Sequence, residues 1–328
     1  MQISPNVRVV AVPESDPMRP RSTNIYVVGQ DQVLAIDSGE AIDKFKWMIR
    51  GYLAAIEGAE IALASITHHH FDHSGNLKDF RETLGAQILV PHSSVDLLGN
   101  RLPPTGVDHL QDGRSIDLGG GLTVQVLATP GHSPDSVCYY LEDDGVLFTG
   151  DTILGVGTTT VHDLAAYRAS LRRLAALPNL KLICPGHGPL VHDAADRLRT
   201  YITHRDTREE QILAVLQASG PLSSWEIMLR LYTDIDRKLR RAADGNVRAH
   251  LQQLQREGRI RLIPGKRRTV NPLATAGEKA IAHTRREVVR RAKKIEEEDR
   301  RRALAQQESP PQENWAEPPR YELVDING

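Results

Sequence analysis

Four potential metal ligands, His68, His70, Asp72 and His73, fall within the short stretch Thr67-His68-His69-His70-Phe71-Asp72-His73-Ser74-Gly75-Asn76. In an extended segment side chains alternate with period two, so His68 and His70 point the same way and can meet one ion. By the same alternation His69 points away, into the packing behind its neighbours. Asp72 and His73 come where the chain should turn into a helix, offset enough to serve a second ion. Three histidines with a carboxylate suit zinc or another borderline divalent metal. A histidine cluster can also be a surface patch or a tag remnant. This one follows an apolar run, residues 61–66, that reads as a buried strand far from either terminus.

Three more turns repeat the pattern. Pro130-Gly131-His132-Ser133 follows the apolar residues 122–128, and Thr149-Gly150-Asp151 follows residues 145–148. Cys184-Pro185-Gly186-His187-Gly188-Pro189 follows residues 180–183. Each apolar strand ends in a Gly-containing turn and then presents one His or Asp. Open sheets gather ligands at the carboxyl ends of their strands, so four such ends can converge on one crevice. A lone Pro-Gly-His is ordinarily a turn; three such turns behind His-X-His-X-Asp-His make a site.

With these motifs the sequence resembles the metallo-β-lactamase fold superfamily. The resemblance implies an α/β fold, a four-layered αβ/βα sandwich with the ligands on its edge loops. It further implies that His68, His70 and His132 bind one metal, that Asp72, His73 and His187 bind the other, and that Asp151 bridges both. Asp37, at the end of residues 32–36, matches an acidic residue that supports the ligands from behind, a role ligating histidines commonly require; a solvated turn residue is the alternative.

The resemblance narrows after Asp151. Gly-Asp-Thr-Ile-Leu-Gly-Val-Gly-Thr-Thr (150–159), the Pro-Gly-His-Gly-Pro turn, Tyr201-Ile202-Thr203-His204-Arg205 and the run from Arg208 to Leu213 look like the β-lactamase-like protein 2 family. That family carries a winged helix after its hydrolase domain. Its animal members are single-stranded RNA endonucleases, and related fungal members are thioesterases on polyketide carrier proteins. The likeness spans roughly residues 5 to 270. Asn76 departs from it, standing where a second glycine is usual.

The surrounding elements must position these residues. Residues 7–12, 24–28 and 32–36 read as strands, 41–56 and 163–177 as helices, with Leu164, Tyr167, Leu171 and Leu174 on one face of the latter. A helix should start at Ser74. His92 and His109 sit in or just after a Pro- and Gly-rich connection (91–106) and read as loop histidines. The Gly- and Thr-rich run 152–160 is either a flexible connection or a surface facing substrate. A second domain follows: a helix over 200–218, a capping box at Ser223-Ser224-Trp225-Glu226, a helix over 245–257, and a hairpin of 259–263 with 268–270. These divide the chain into a hydrolase domain (1–205), a winged helix (206–272), and a charged helix with a tail (273–328) that should order only on contact.

Composition agrees with a cytoplasmic enzyme. The chain has 328 residues, with 41 basic against 42 acidic, so bulk charge favours no polyanion partner. No apolar run approaches the ~18 residues of a membrane span, and the amino terminus lacks a signal-peptide pattern. Cys138 and Cys184 read as buried thiols of a reducing compartment.

The expected chemistry is two-metal hydrolysis by a hydroxide held between two divalent ions, zinc first, with manganese or iron possible. Asp72 would orient that hydroxide and carry its proton. Three functions follow: an endoribonuclease on single-stranded RNA, a thioesterase or glyoxalase-II-like ester, lactone or β-lactam hydrolase, or a winged-helix nucleic-acid-binding regulator. His204 and Arg205, with the wing cations Arg259, Arg261, Lys266, Arg267 and Arg268, are candidate contacts for an anionic substrate. The partner is thus RNA or a small-molecule ester, with no membrane, and the sequence leaves the oligomeric state open.

Overall fold

Apolar runs bounded by Gly and polar turns become two sheets. The computed structural model describes residues 1–13, 22–30, 32–55, 61–267 and 315–324. The chain divides into two units, Met1–Asp206 and Thr207–Gly328. In the first, seven strands pair in chain order: β1 (Gln2–Ser4), β2 (Val7–Pro13), β3 (Ser22–Val28), β4 (Val33–Ile36), β5 (Ile61–Ser65), β6 (Gln87–Pro91) and β7 (Val107–Leu110). The second sheet holds β8 (Ser115–Asp117), β9 (Thr123–Ala128), β10 (Val137–Leu141), β11 (Val146–Gly150) and β12 (Leu182–Pro185), in the order β12-β11-β10-β9-β8.

Parallel neighbours need crossovers. α1 (Asp43–Ala54) joins β4 to β5, the pair α2 (Phe71–Ser74) and α3 (Leu77–Leu84) joins β5 to β6, and α5 (Leu164–Ala175) joins β11 to β12; a short α4 (Val95–Leu98) precedes β7. One core lies between the sheets, where Tyr26, Leu34 and Ile36 meet Val126, Tyr139 and Phe148. A second joins Ile25, Ala64 and Ile88 to Ile49, Leu77 and Phe80 of the helices. Leu164, Tyr167, Leu171 and Leu174 of α5 are all buried, as their spacing predicts. The layers make the expected α/β sandwich. The carboxyl ends of β5, β9, β11 and β12 lead into the turns that carry the candidate ligands, and that of β4 leads into Asp37.

The helix expected from Ser74 is broken in two. Asn76 Nδ2 donates to the carbonyls of Ser38 and Glu40, each at 2.7 Å, and pins the break at Gly75-Asn76. A Cβ on Gly75 would meet Ala41 N at 2.6 Å. The connection 91–106 is not a plain loop, for it holds short helices. His109 lies on β7, with its ring 5.4 Å from that of His92.

The second unit has the later part of α6 (Ala194–Ser219), then α7 (Ser224–Leu231) and α8 (Arg240–Arg256) around Ile212, Leu216, Ile227, Met228, Val247, Leu251 and Leu254. The capping box is present: Ser223 Oγ accepts from Glu226 N while Glu226 accepts from Ser223 N. The hairpin is different. β13 (Ile260–Ile263) pairs antiparallel with β16 (Arg320–Leu323), and β14 (Lys266–Arg267) with β15 (Trp315–Glu317). Residues 315–324, expected to order only on contact, therefore complete the wing. The charged helix expected after residue 272 and the strand 268–270 lie outside the described residues. No helix among those described is long and apolar enough to cross a membrane.

Candidate metal centre

The loop after β5 is drawn together by Asp37. Its carboxylate accepts from Thr67 N at 2.7 Å, from Thr67 Oγ1 at 3.0 Å, and from His73 Nδ1 at 2.8 Å. Asp37 itself takes φ 67°, a left-handed conformation that Asp tolerates better than most residues. The carboxylate thus lies behind Thr67 and the candidate ligand His73, in contact with both.

Two donor groups result, His68, His70, His132 and Asp151 in one and Asp72, His73 and His187 in the other, with the donor atoms of each within 4.8 Å of one another. In the first, His70 Nδ1 is 2.8 Å from His68 Nε2 and 3.2 Å from His132 Nε2. In the second, His187 Nε2 is 3.2 Å from both His73 Nε2 and Asp72 Oδ2. Nitrogens bound tetrahedrally at the Zn–N length stand about 3.3 Å apart, so these spacings fit a metal ion. Asp151 faces both groups. Its Oδ1 lies 3.4 Å from His73 Nε2 and 3.2 Å from His187 Nε2, and its Oδ2 lies 3.7 Å from His132 Nε2. Oδ1 is buried without a hydrogen bond, which suits a metal ligand. A Cβ at residue 186 would fall 2.7 Å from His73 Cε1 and 3.0 Å from Asp151 Oδ1, so Gly186 leaves room for the cluster.

The outward ring nitrogens are anchored. His73 Nδ1 donates to Asp37, His187 Nδ1 to Ser22 O at 3.0 Å, and His132 Nδ1 to Thr160 O at 2.9 Å. Each bond fixes the tautomer that turns the Nε2 lone pair inward. Burial and the neighbouring rings of His73 and His132 push His68 well below the ordinary histidine range, and burial with His132 takes His70 down to about 3. Burial also acts against a charged His73, yet Asp37, Asp72 and Asp151 together raise it to about 10. Burial alone would raise Asp151, but His187 and His73 hold it well below the carboxylate range. Depressed His68 and His70 beside the anionic Asp151 are donors for a cation, and the same carboxylates that favour charge on His73 favour a cation bound in their midst.

His69 does turn from the cluster, onto the buried Asp135 at 2.8 Å, which also accepts from Ser94 and Ser133. Its ring nevertheless helps line a cavity of about 520 Å³ with His70, Leu97, Pro130, Pro134, His162 and Ala166. No lysine or arginine is among the described residues lining it. Neither His92 nor His109 lines it. Arg205 is 1% exposed, and its Nη2 donates to Thr159 O at 2.7 Å. It is thus a buried support and not a substrate-facing cation. His204 is half-buried. Arg208 stacks on Tyr232 at 4.0 Å. Of the wing cations, Arg259 pairs with Glu209, Arg261 with Glu322 and Lys266 with Glu317, Arg267 lies 5.4 Å over Trp315, and Arg268 is outside the described residues.

Sequence reasoning missed Thr67, Asp135 and Thr159. Only Thr67, placed directly before the motif, carried a local signal. Asp37→Asn keeps the side chain's shape and its left-handed backbone but removes the charge on His73. Metal affinity, read by chelator competition, should fall roughly tenfold or more. An unchanged affinity would show that Asp37 only braces Thr67.

The profile of the Metallo-beta-lactamase superfamily matches residues 18–187, and that of the Beta-lactamase associated winged helix domain matches 223–266. A "Beta-lactamase-like protein 2 homolog" of Caenorhabditis elegans is 31% identical over 74% of this chain and 81% of its own length. An "Atrochrysone carboxyl ACP thioesterase" of Aspergillus fumigatus is 33% identical over 64% of this chain and 65% of its own. Among solved structures, a metallo-beta-lactamase family protein of Thermus thermophilus superposes with TM-score 0.67 at 26% identity, covering 80% of this chain and 97% of that one.

Proposed function

This chain belongs to the metallo-beta-lactamase superfamily, and from that premise we propose that it is a two-metal hydrolase of acyl esters or thioesters. His68, His70 and His132 would hold one ion and Asp72, His73 and His187 the other, with Asp151 placed to serve both. The division of Asp151's two oxygens between the groups supports the bridge. The nitrogen-rich set favours zinc, with manganese or iron as alternatives. Bound zinc lowers the pKa of water from ~15.7 towards ~7 and polarises the electrophile. Asp72 then orients the attacking water and accepts its proton, and His70 abuts the cavity that receives the acyl group.

That cavity carries the choice of substrate. Leu97, Pro130, Pro134 and Ala166 offer apolar surface next to His70, and its described lining has no cation to meet a phosphodiester. The fungal relative named as a carrier-protein thioesterase agrees. The RNA reading implied by the resemblance keeps support in the exposed Arg237 and Lys238 before α8. Of the cations that sequence had offered it, Arg205 is buried on Thr159, while Arg259, Arg261 and Lys266 are exposed but stand beside Glu209, Glu322 and Glu317, which offset their charge. The winged-helix regulator has no need of a complete metal donor set, and both donor groups are complete.

Purified protein with added zinc or manganese should be assayed against an acyl thioester, an ester, a lactone, a β-lactam and single-stranded RNA. Thioester or ester turnover with a KM insensitive to salt is the expected result. Cleavage of RNA alone, with affinity falling steeply as salt rises, would reverse the choice.

A further inference from the structure

The first turns of α6 carry a ladder whose first residue, Arg197, is half-buried and whose other two, Tyr201 and Arg205, are buried. Arg197, Tyr201 and Arg205 are spaced four residues apart, so they share one stripe of the helix. All three bind backbone of the Gly- and Thr-rich segment 152–160. Arg197 donates from Nε and Nη2 to Leu154 O, at 3.2 and 2.7 Å, and from Nη2 to Gly157 O at 2.9 Å. Tyr201 Oη accepts from Leu154 N at 2.8 Å. Arg205 Nη2 reaches Thr159 O at 2.7 Å, and its guanidinium stands 5.3 Å from the centre of the Tyr167 ring. Tyr167 in turn donates to Thr152 O at 2.6 Å.

The clamped segment ends on a metal-ligand candidate. Thr159 Oγ1 lies 3.0 Å from His132 Nδ1, and the next residue supplies the carbonyl, Thr160 O, that accepts from the same nitrogen. Arg205 is among the largest fully buried side chains of the chain, and its Nε has no hydrogen-bond partner. Burying a guanidinium is costly unless its contacts do something an apolar residue does not. Filling space against Tyr167 needs only a methionine or leucine. Holding the Thr159 carbonyl, and with it the hydroxyl and carbonyl that aim one imidazole, needs a donor of fixed direction, which the planar guanidinium supplies through Nη2.

We propose that Arg205 is a positioning residue for His132: through Thr159 and Thr160 it fixes the ring orientation that turns His132 Nε2 into the donor cluster. This rests on the cluster holding metal. Every contact involved lies within residues 131–206, so the role does not depend on the winged helix.

The test is metal affinity of the full chain, measured by competition with a chromophoric chelator and, with cobalt(II) loaded, by its visible absorption bands. Arg205→Met should retain the native circular dichroism, weaken one of the two ions by about ten- to a hundredfold, and shift the cobalt bands. Thr159→Val, which deletes only the hydroxyl at His132, should weaken the same ion. The double variant should lose less than the product of the single effects, because both act through one ring. If Arg205→Met does not fold, Arg205→Lys decides. Its flexible amine does not reproduce the fixed direction of the bond from Nη2 to Thr159 O, and at least a threefold loss at the same ion is expected. Affinities within twofold of the parent in a folded Arg205 variant, or effects that simply multiply in the double variant, would overturn the proposal. A parent protein that binds no metal would instead sink the hydrolase reading itself.

Discussion

Asp151→Ala is expected to empty both donor groups, whereas His187→Ala should empty chiefly one. The reason is the placement of the carboxylate between them, with Oδ1 against His73 and His187 and Oδ2 against His132. Removing it takes a ligand from each ion. It also removes the anion beside His68 and His70, two rings whose burial already disfavours charge near them. Two cations left side by side without that shared charge repel each other at low dielectric. His187→Ala leaves His68, His70, His132 and Asp151 in place. Metal content of protein purified without chelator should thus fall from near two ions per chain to near none for Asp151→Ala, and to about one for His187→Ala. Turnover should fall by at least ~10³-fold in Asp151→Ala, since polarisation of the electrophile and activation of water are lost together. Equal metal retention in the two variants would show that Asp151 does not bridge.

The clustering of the candidate donors was legible in the sequence because the turn that carries each of them follows a strand. Apolar runs, Gly turns and one His or Asp after each are local signals, and the crevice follows from the way open sheets present strand ends. Asp37 was legible for the same reason, standing at the end of β4. The supports of the other ligands were not. Thr159 and Thr160 sit in a run whose composition suits a flexible connection equally well, and their bonds to His132 span 27 and 28 residues. Asp135 is a turn residue by type. Its burial against His69 and Ser94 depends on how two distant loops pack. Arg205 shows the limit most plainly. Helical spacing puts Arg197, Tyr201 and Arg205 on one stripe, but it does not say whether that stripe meets solvent or a loop. The charged type suggested a surface cation facing an anion. The packing made it an internal clamp.

The part that residues 315–324 take in the wing was hidden for a related reason, and it yields the largest expected effect on stability. A hairpin is the natural reading of two short β-like runs around Pro264-Gly265-Lys266, because pairing close neighbours costs little loop entropy. Here the partner of Arg261 is Glu322, 61 residues further along the chain. The register runs from Ile260 opposite Leu323 to Ile263 opposite Arg320. Tyr321 also bonds Leu222 in both directions, its nitrogen donating to Leu222 O at 2.8 Å and its carbonyl accepting from Leu222 N at 3.1 Å. Tyr321 and Leu323 pack on the core built by Ile227, Val247 and Leu254. Gly265 lets the returning chain approach, since a Cβ there would stand 2.4 Å from Glu317 O. Ending the chain after Arg267 removes both partner strands, uncovers two large side chains' worth of apolar surface, and leaves the inner edge of β13 unpaired. At roughly 1.5–3 kcal/mol for each buried side chain, discounted because both are only partly covered, the cost is about 3 kcal/mol. That is a large part of the stability of a unit this small. The truncated protein should show early unfolding and rapid proteolysis within residues 207–267, and Tyr321→Ala should reproduce roughly half of the loss. Metal content should not change, for all seven candidate ligands lie in the first unit. A truncated chain whose second unit melts and resists protease like the parent would show that residues 315–324 merely rest on the wing.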